Sequence, residues 1–145
     1  MWRVGFEGGW RVHDDVADLL VRLAEAGLAV GALTNAVGDL SARKLARCGL
    51  ADTVPLLVSL DTFGVGKPDP RVFLEACRLL GTSPERTVYV GDELDTDALA
   101  ATAAGLRGIW LDRPGTRRGG VHLEDPGVAR EAGIAVVGSL DALGR

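Results

Sequence analysis

The chain has 145 residues, about one domain's worth, enough to bury most of the surface that its unfolded form exposes. Hydrophobic residues at 47% and charged residues at 25% exclude disorder and low-complexity repetition. A formal net charge of -4 and an isoelectric point near 5.1 would repel a polyanion, so nucleic acid is not an expected partner.

The first residues, Met1 to Glu7, lack the long apolar stretch of a signal peptide, and no run approaches the roughly 18 apolar residues of a membrane span. Cys48 and Cys77 fall at apolar positions of predicted helices, as reduced core thiols do. These features predict a cytoplasmic protein without membrane contact.

In chain order, residues 14–26 predict a helix with Val16, Leu19, Leu20 and Leu23 on one face, closed by Gly27 and followed by a strand at 28–33. A second helix spans about 38–48 and stops at Gly49. The next is well marked: Asp69 caps it, Pro70 suits its first turn, Val72, Phe73, Ala76, Cys77 and Leu80 form its stripe, and Gly81 ends it. A strand at 87–91 leads to a helix that starts after Asp92 and ends at Gly105, and a strand at 106–111 follows. From about 112 to 127 the chain is a turn-rich loop, read either as a surface connection or as a segment that touches substrate. Gly133 then introduces a strand at 134–137.

Strands read as nearly continuous apolar runs between helices imply an α/β domain over 1–145, with a mostly parallel sheet flanked by helices on both faces. Ligands of such folds bind beyond the carboxyl ends of the strands, where Thr34 and Asp92 stand. Thr34 offers a hydroxyl and Asn35 an N–H to a phosphoryl oxygen, although Thr-Asn is equally a strand-ending turn. Lys67, between Gly66 and Pro68, has a constrained backbone and an ammonium able to reach a phosphate. A P-loop is excluded, because Asp61 and Pro68 stand where a glycine and a hydroxyl residue are required. Asp92 follows Gly91 and suits Mg²⁺, or else caps the next helix. Asp97 would steady this loop or a metal-bound water, and Glu93 and Asp95 make the loop more acidic than capping needs.

Thr34, Lys67 and Asp92, separated by 33 and 25 residues, resemble motifs two, three and four of the haloacid dehalogenase (HAD) superfamily. The stretch Gly-Val-Gly-Lys-Pro-Asp-Pro-Arg-Val-Phe from Gly64 to Phe73 and the Val90-Gly91-Asp92 run with Asp97 carry the resemblance. It covers about residues 14–140 and is nearest to the dehalogenase and phosphoglycolate-phosphatase branch. The resemblance implies a Rossmann-like core, Mg²⁺ as cofactor, a small phosphorylated metabolite as substrate and an aspartyl-phosphate intermediate. Thr34, with Asn35, would bind the phosphoryl group, Lys67 would offset charge between nucleophile and phosphate, Asp92 would ligate Mg²⁺, and Asp97 would take the supporting acidic place.

The family's first motif, with its Asp-x-Asp pair, has no true counterpart. In the closest stretch Glu7 stands where the nucleophile belongs and Gly9 where the acid belongs. The helical cap usually found between that motif and the first helix is also missing. Residues 2–7 are either a substitute first strand or a remnant of the linker leaving a cap. Alternatively a partner chain, including a second copy in a homodimer, completes the sheet. Hydrolysis of a phosphate monoester needs acceleration of up to about 10²¹, whereas a site without its nucleophilic machinery retains only about 10³ to 10⁴. Two functions therefore stand open: a phosphohydrolase whose nucleophile is supplied by Glu7 or from elsewhere, and a non-catalytic module that binds phosphate, metal or protein.

Overall fold

The computed structural model describes residues 2–4 and 10–143. Glu7 and Gly9, on which the reading of the first motif turns, lie outside the described residues. Strands β1 (Trp2–Val4) and β2 (Trp10–Val12) pair antiparallel, with Arg3 opposite Arg11. Helix α1 (Asp15–Glu25) buries Val16 and Leu19, and its end is closed by the Leu28 amide donating to the Leu23 carbonyl at 3.0 Å. That bond holds Leu28 in the helix terminus, so β3 spans only Gly31–Leu33 of the anticipated 28–33.

Helix α2 (Gly38–Arg47) has Val37 at its N-cap, and the missing acceptor is supplied by Asp61, whose carboxylate takes the Gly38 amide at 2.8 Å. Asp61 comes from a region the sequence reading left without elements: strand β4 (Leu56–Val58) and the single-turn helix α3 (Leu60–Phe63). A three-residue strand shows no periodicity to detect. Helix α4 (Pro70–Leu80) follows its sequence signals closely: the Asp69 carboxylate accepts the Arg71 amide at 2.9 Å, and Val72, Phe73 and Cys77 are buried.

Strand β5 (Val88–Gly91) is followed by a π-helical turn at Leu94–Leu99 that passes into α5 (Ala100–Ala103). Strand β6 (Arg107–Leu111), helix α6 (Pro126–Glu131) and strand β7 (Ala135–Val137) complete the alternation. Among the described residues no helix is long and apolar enough to cross a membrane.

The parallel strands form two blocks, β3 with β4 and β5-β6-β7, and β1 hydrogen-bonds with β2 rather than with β3 or β5. Among the described residues no shared ladder joins the blocks, and side chains pack them together. On one face Ala32 and Leu57 pack with Val90, Leu111 and Val137 over α1 and α2, and Val12 of β2 joins the same cluster. On the other, Leu33, Leu56 and Val58 pack with Tyr89 and Leu106 under α4 and α5. Helices therefore cover both faces, as the α/β reading requires.

Asp15 ties the first helix to the far end of the chain. Asp14 stands at the N-cap of α1 but makes no side-chain cap bond. Asp15 is the buried one: it accepts both terminal nitrogens of Arg113, at 2.9 and 2.8 Å, and the Leu140 amide at 2.7 Å. The Arg113 hydrogen bonds, helped by the Leu140 amide, outweigh burial and hold its carboxyl below the ordinary aspartate range. Breaking a buried, hydrogen-bonded pair costs about 3 to 5 kcal/mol, so Asp15→Asn is expected to lower unfolding stability by that order at neutral pH. The folded-state value is depressed, so this contribution is complete above the unfolded pKa and fades as pH falls through the folded one. Urea unfolding from pH 7 downward should show the gap between native and variant curves narrowing below about pH 4.

Candidate active site

The site is built at the carboxyl ends of β3 and β5, on the seam between the two sheet blocks. Its centre is Lys67. The ammonium lies 2.5 Å from Asp97 Oδ1 and 3.0 Å from the Tyr89 hydroxyl, and the two charged side chains are only 12% and 3% exposed. Two charges in such surroundings persist only with close contact and their remaining polar atoms satisfied. Asp97 meets that requirement: Oδ1 also receives the Tyr89 hydroxyl at 3.2 Å, and Oδ2 accepts the Glu93 amide at 3.0 Å.

Local backbone chemistry brings these groups together. The π-helical turn lets the Glu93 carbonyl accept from Asp97 at 3.0 Å and from Ala98 at 3.3 Å. Its approach to β5 leaves no room at residue 91, where a Cβ would lie 2.3 to 2.4 Å from Asp97 side-chain atoms; only glycine fits. The same holds at Gly66, whose Cβ would lie 2.6 Å from Asn35 Oδ1.

Asn35 is engaged differently from the sequence expectation. Its side chain accepts the Lys67 amide at 2.7 Å and donates to the Lys67 carbonyl at 3.0 Å, fixing the lysine's backbone instead of extending toward a ligand. Thr34 sits beyond β3, its amide donating to the Val58 carbonyl at 2.9 Å. Thr34 Oγ1 accepts the Ala36 amide at 3.1 Å, which leaves the hydroxyl hydrogen to donate outward.

Asp92 stands beyond β5 with its side chain exposed. Its carbonyl is held by the indole of fully buried Trp110 at 3.2 Å, a contact that fixes the backbone of the Gly91-Asp92 corner from the neighbouring strand. The acid-rich character of the loop does meet a cation, and the chain supplies it. Arg118, from the loop between β6 and α6, contacts Glu93 at 3.2 Å, Asp95, and Glu124 at 3.1 Å. Burial opposes the charge on Asp95, but Arg118 and the Thr96 amide prevail and its pKa falls to about 2. The loop at 112–125 is thus anchored over the acidic corner, with His122 Nδ1 3.6 Å from Asp95.

These engagements decide how far a divalent cation fits. Among the described residues no three His, Cys, Asp or Glu side chains converge as a metal cage. Asp97 faces Lys67, and Glu93 and Asp95 face Arg118, so Asp92 is the carboxylate this corner offers. One carboxylate completed by water and phosphate oxygens is a mode Mg²⁺ accepts. Asp92 fits that mode as a single ligand.

Of the expected residues, Asn35, Lys67 and Asp97 are joined by hydrogen bonds; Thr34 adjoins Asn35 in the chain, and Asp92 follows Gly91, which packs against Asp97. Tyr89, Trp110 and Arg118 were missed. Tyr89 carried one faint signal, as the sole tyrosine of the chain placed in an otherwise aliphatic strand. Because Lys67 and Asp97 are buried as a pair, Lys67→Met should cost about 3 to 5 kcal/mol. The double variant with Asp97→Asn should recover part of that loss. Chemical unfolding of the four members of this cycle checks it, and additive losses would contradict a direct ion pair.

The chain is similar to known proteins over most of its length. Residues 2–105 match the family model described as haloacid dehalogenase-like hydrolase. The chain is 43% identical over 107 residues to a phosphoserine phosphatase of Thermus thermophilus, a match covering 72% of this chain and 41% of that protein. It is 33% identical over 115 residues to an N-acetylmuramic acid 6-phosphate phosphatase of Pseudomonas aeruginosa, covering 79% and 48%. The chain thus spans about half the length of the curated relatives it matches. Among solved structures, a HAD phosphatase from Thermococcus onnurineus superposes with a TM-score of 0.76 at 27% identity, covering 92% of this chain and 57% of that one. A HAD family hydrolase from Deinococcus radiodurans with bound phosphate and sodium gives 0.77 at 26%, covering 93% and 58%. The motif spacing, the two-faced α/β core and these matches agree, and the chain belongs to the haloacid dehalogenase-like hydrolase family.

Proposed function

We propose that this chain is the phosphoryl-binding core of a Mg²⁺-dependent phosphatase acting on a small phosphorylated metabolite. The observation that carries this reading is the Lys67 ammonium, held 2.5 Å from Asp97 at the seam where β3 delivers Thr34. A fixed positive charge about 4 Å from a phosphoryl charge is worth roughly 4 kcal/mol at an effective dielectric near 20. The names of the relatives, phosphoserine phosphatase and N-acetylmuramic acid 6-phosphate phosphatase, support a phosphate monoester as substrate class.

In this reading Thr34 donates its hydroxyl hydrogen to a phosphoryl oxygen while the Ala36 amide holds its oxygen in place. Lys67 offsets charge as the nucleophile approaches, and Asn35 keeps that lysine's backbone fixed. Asp92 is the residue that would hold Mg²⁺, which when bound neutralises charge on the phosphoryl oxygens. Asp97, occupied by three donors, is not the nucleophile. The attacking carboxylate is supplied by Glu7, by a partner chain or by a segment outside this sequence. The free thiols Cys48 and Cys77 suit a reducing, cytoplasmic setting.

A non-catalytic reading is favoured by one fact: among the described residues no carboxylate stands ready as nucleophile beside Lys67. The purified chain with Mg²⁺ and p-nitrophenyl phosphate separates the two. Turnover that Asp92→Asn abolishes supports the phosphatase. Calorimetric binding of inorganic phosphate without turnover supports the binding module. Absence of both rejects the phosphoryl site itself.

A further inference from the structure

Tyr89 is the chain's sole tyrosine, and its hydroxyl is the point where three separate segments meet. The ring is packed edge-on against buried Phe73, with centroids 5.1 Å apart and planes at 88°. From there the hydroxyl oxygen lies 3.0 Å from Lys67 Nζ, 3.2 Å from Asp97 Oδ1 and 3.4 Å from the Leu33 carbonyl oxygen. The direction of these bonds follows from the groups themselves. An ammonium has three donors and no acceptor, so Lys67 donates to the phenol oxygen, and the single phenol hydrogen goes to Asp97 or to Leu33. Burial first, and then the Asp97 carboxylate, raise the phenol well above the usual tyrosine range, so it keeps that hydrogen at working pH.

Tyr89 thereby supplies what the Lys67–Asp97 pair lacks by itself. One carboxylate oxygen fixes the distance of an ammonium but leaves it free to swing about that contact. A second acceptor about a hydrogen-bond length away fixes its direction. With two of its three donors held by Asp97 and Tyr89, the ammonium has one N–H left for an incoming oxygen. The hydroxyl also lies beside the Leu33 carbonyl at the end of β3, one residue before Thr34, which gives the phenol hydrogen an alternative acceptor across the seam that no ladder bridges among the described residues.

We propose that Tyr89 is a positioning residue of the phosphoryl site: its hydroxyl orients the Lys67 ammonium against Asp97 and sets it in register with Thr34. This rests on the reading of Thr34 and Lys67 as a phosphoryl site, and the experiment tests the two separately.

The chain has two lysines, Lys44 and Lys67, so selective ¹⁵N-lysine labelling gives two side-chain ammonium signals by NMR. Tyr89→Phe keeps the ring and removes only the hydroxyl. It is expected to lower the order parameter of the Lys67 ammonium, leave that of Lys44 unchanged, and raise the Kd for inorganic phosphate about threefold to tenfold. Replacing tyrosine with 3-fluorotyrosine labels a single site and weakens the phenol oxygen as an acceptor without deleting it. The ¹⁹F signal should move on phosphate addition, with a smaller rise in Kd. An unchanged Lys67 order parameter in Tyr89→Phe, even with a lowered Tm, would overturn the proposal and leave Tyr89 as packing alone. If phosphate moves neither the Lys67 nor the ¹⁹F signal of the otherwise unaltered chain, the phosphoryl-site reading fails, and the ordering measurement still decides the role of Tyr89.

Discussion

The contact on which the site depends is the buried ion pair between Lys67 and Asp97. Removing two such charges from water carries an effective penalty of several kcal/mol for each ion, offset only when the pair is close and its remaining donors and acceptors are satisfied. Much of the surrounding sequence follows from that condition. Gly91 makes room for Asp97, the Glu93 amide and Tyr89 hydroxyl complete its coordination, and the Asn35 side chain fixes the lysine's backbone. Each of these residues would be ordinary elsewhere. Together they let an ammonium stand at the carboxyl end of a parallel strand, where a ligand's negative charge can meet it.

The second constraint is the seam. Two parallel blocks lie side by side with shared apolar clusters on both faces, and among the described residues packing, with no continuous hydrogen-bond ladder, joins them. Hydrophobic contact is tolerant of direction, whereas ladder pairing fixes register. Among the described residues, polar links of the site cross this seam: Tyr89 stands between Asp97 and the Leu33 carbonyl, and Lys67 bonds Asp97 and Asn35. The arrangement of the proposed site and the assembly of the domain are therefore coupled.

The sequence made the helices legible because their signals are local and redundant. Asp69, Pro70 and Gly81 mark α4 independently of anything it packs against, and its stripe of Val72, Phe73 and Cys77 is buried as read. Thr34, Lys67 and Asp97 were singled out because phosphate chemistry restricts residue types at spaced positions, and the structure brings Lys67 and Asp97 into contact. Strand β4 and helix α3 escaped, since seven residues hold too little periodicity and their role in capping α2 through Asp61 is nonlocal. Arg118 escaped for the same reason: its partners Glu93 and Asp95 are more than twenty residues away, and an arginine in a turn-rich loop looks solvated until the loop is placed. The acidity of residues 92–97 was read toward a bound metal ion, whereas Glu93 and Asp95 meet Arg118; sequence alone cannot say whether a metal or a side chain answers such a cluster.

Asn35 shows how narrow the chemical margin is. One side-chain amide presents an acceptor to the Lys67 amide and a donor to the Lys67 carbonyl, which imitates a strand neighbour with a single residue. Hydrolytic ageing of that amide to a carboxylate changes only one heavy atom. It turns the donor half into an oxygen facing a carbonyl oxygen and adds a negative charge on the lysine segment. A carboxylate at position 35 would therefore lose the donor that holds the Lys67 carbonyl, so this position calls for the amide itself.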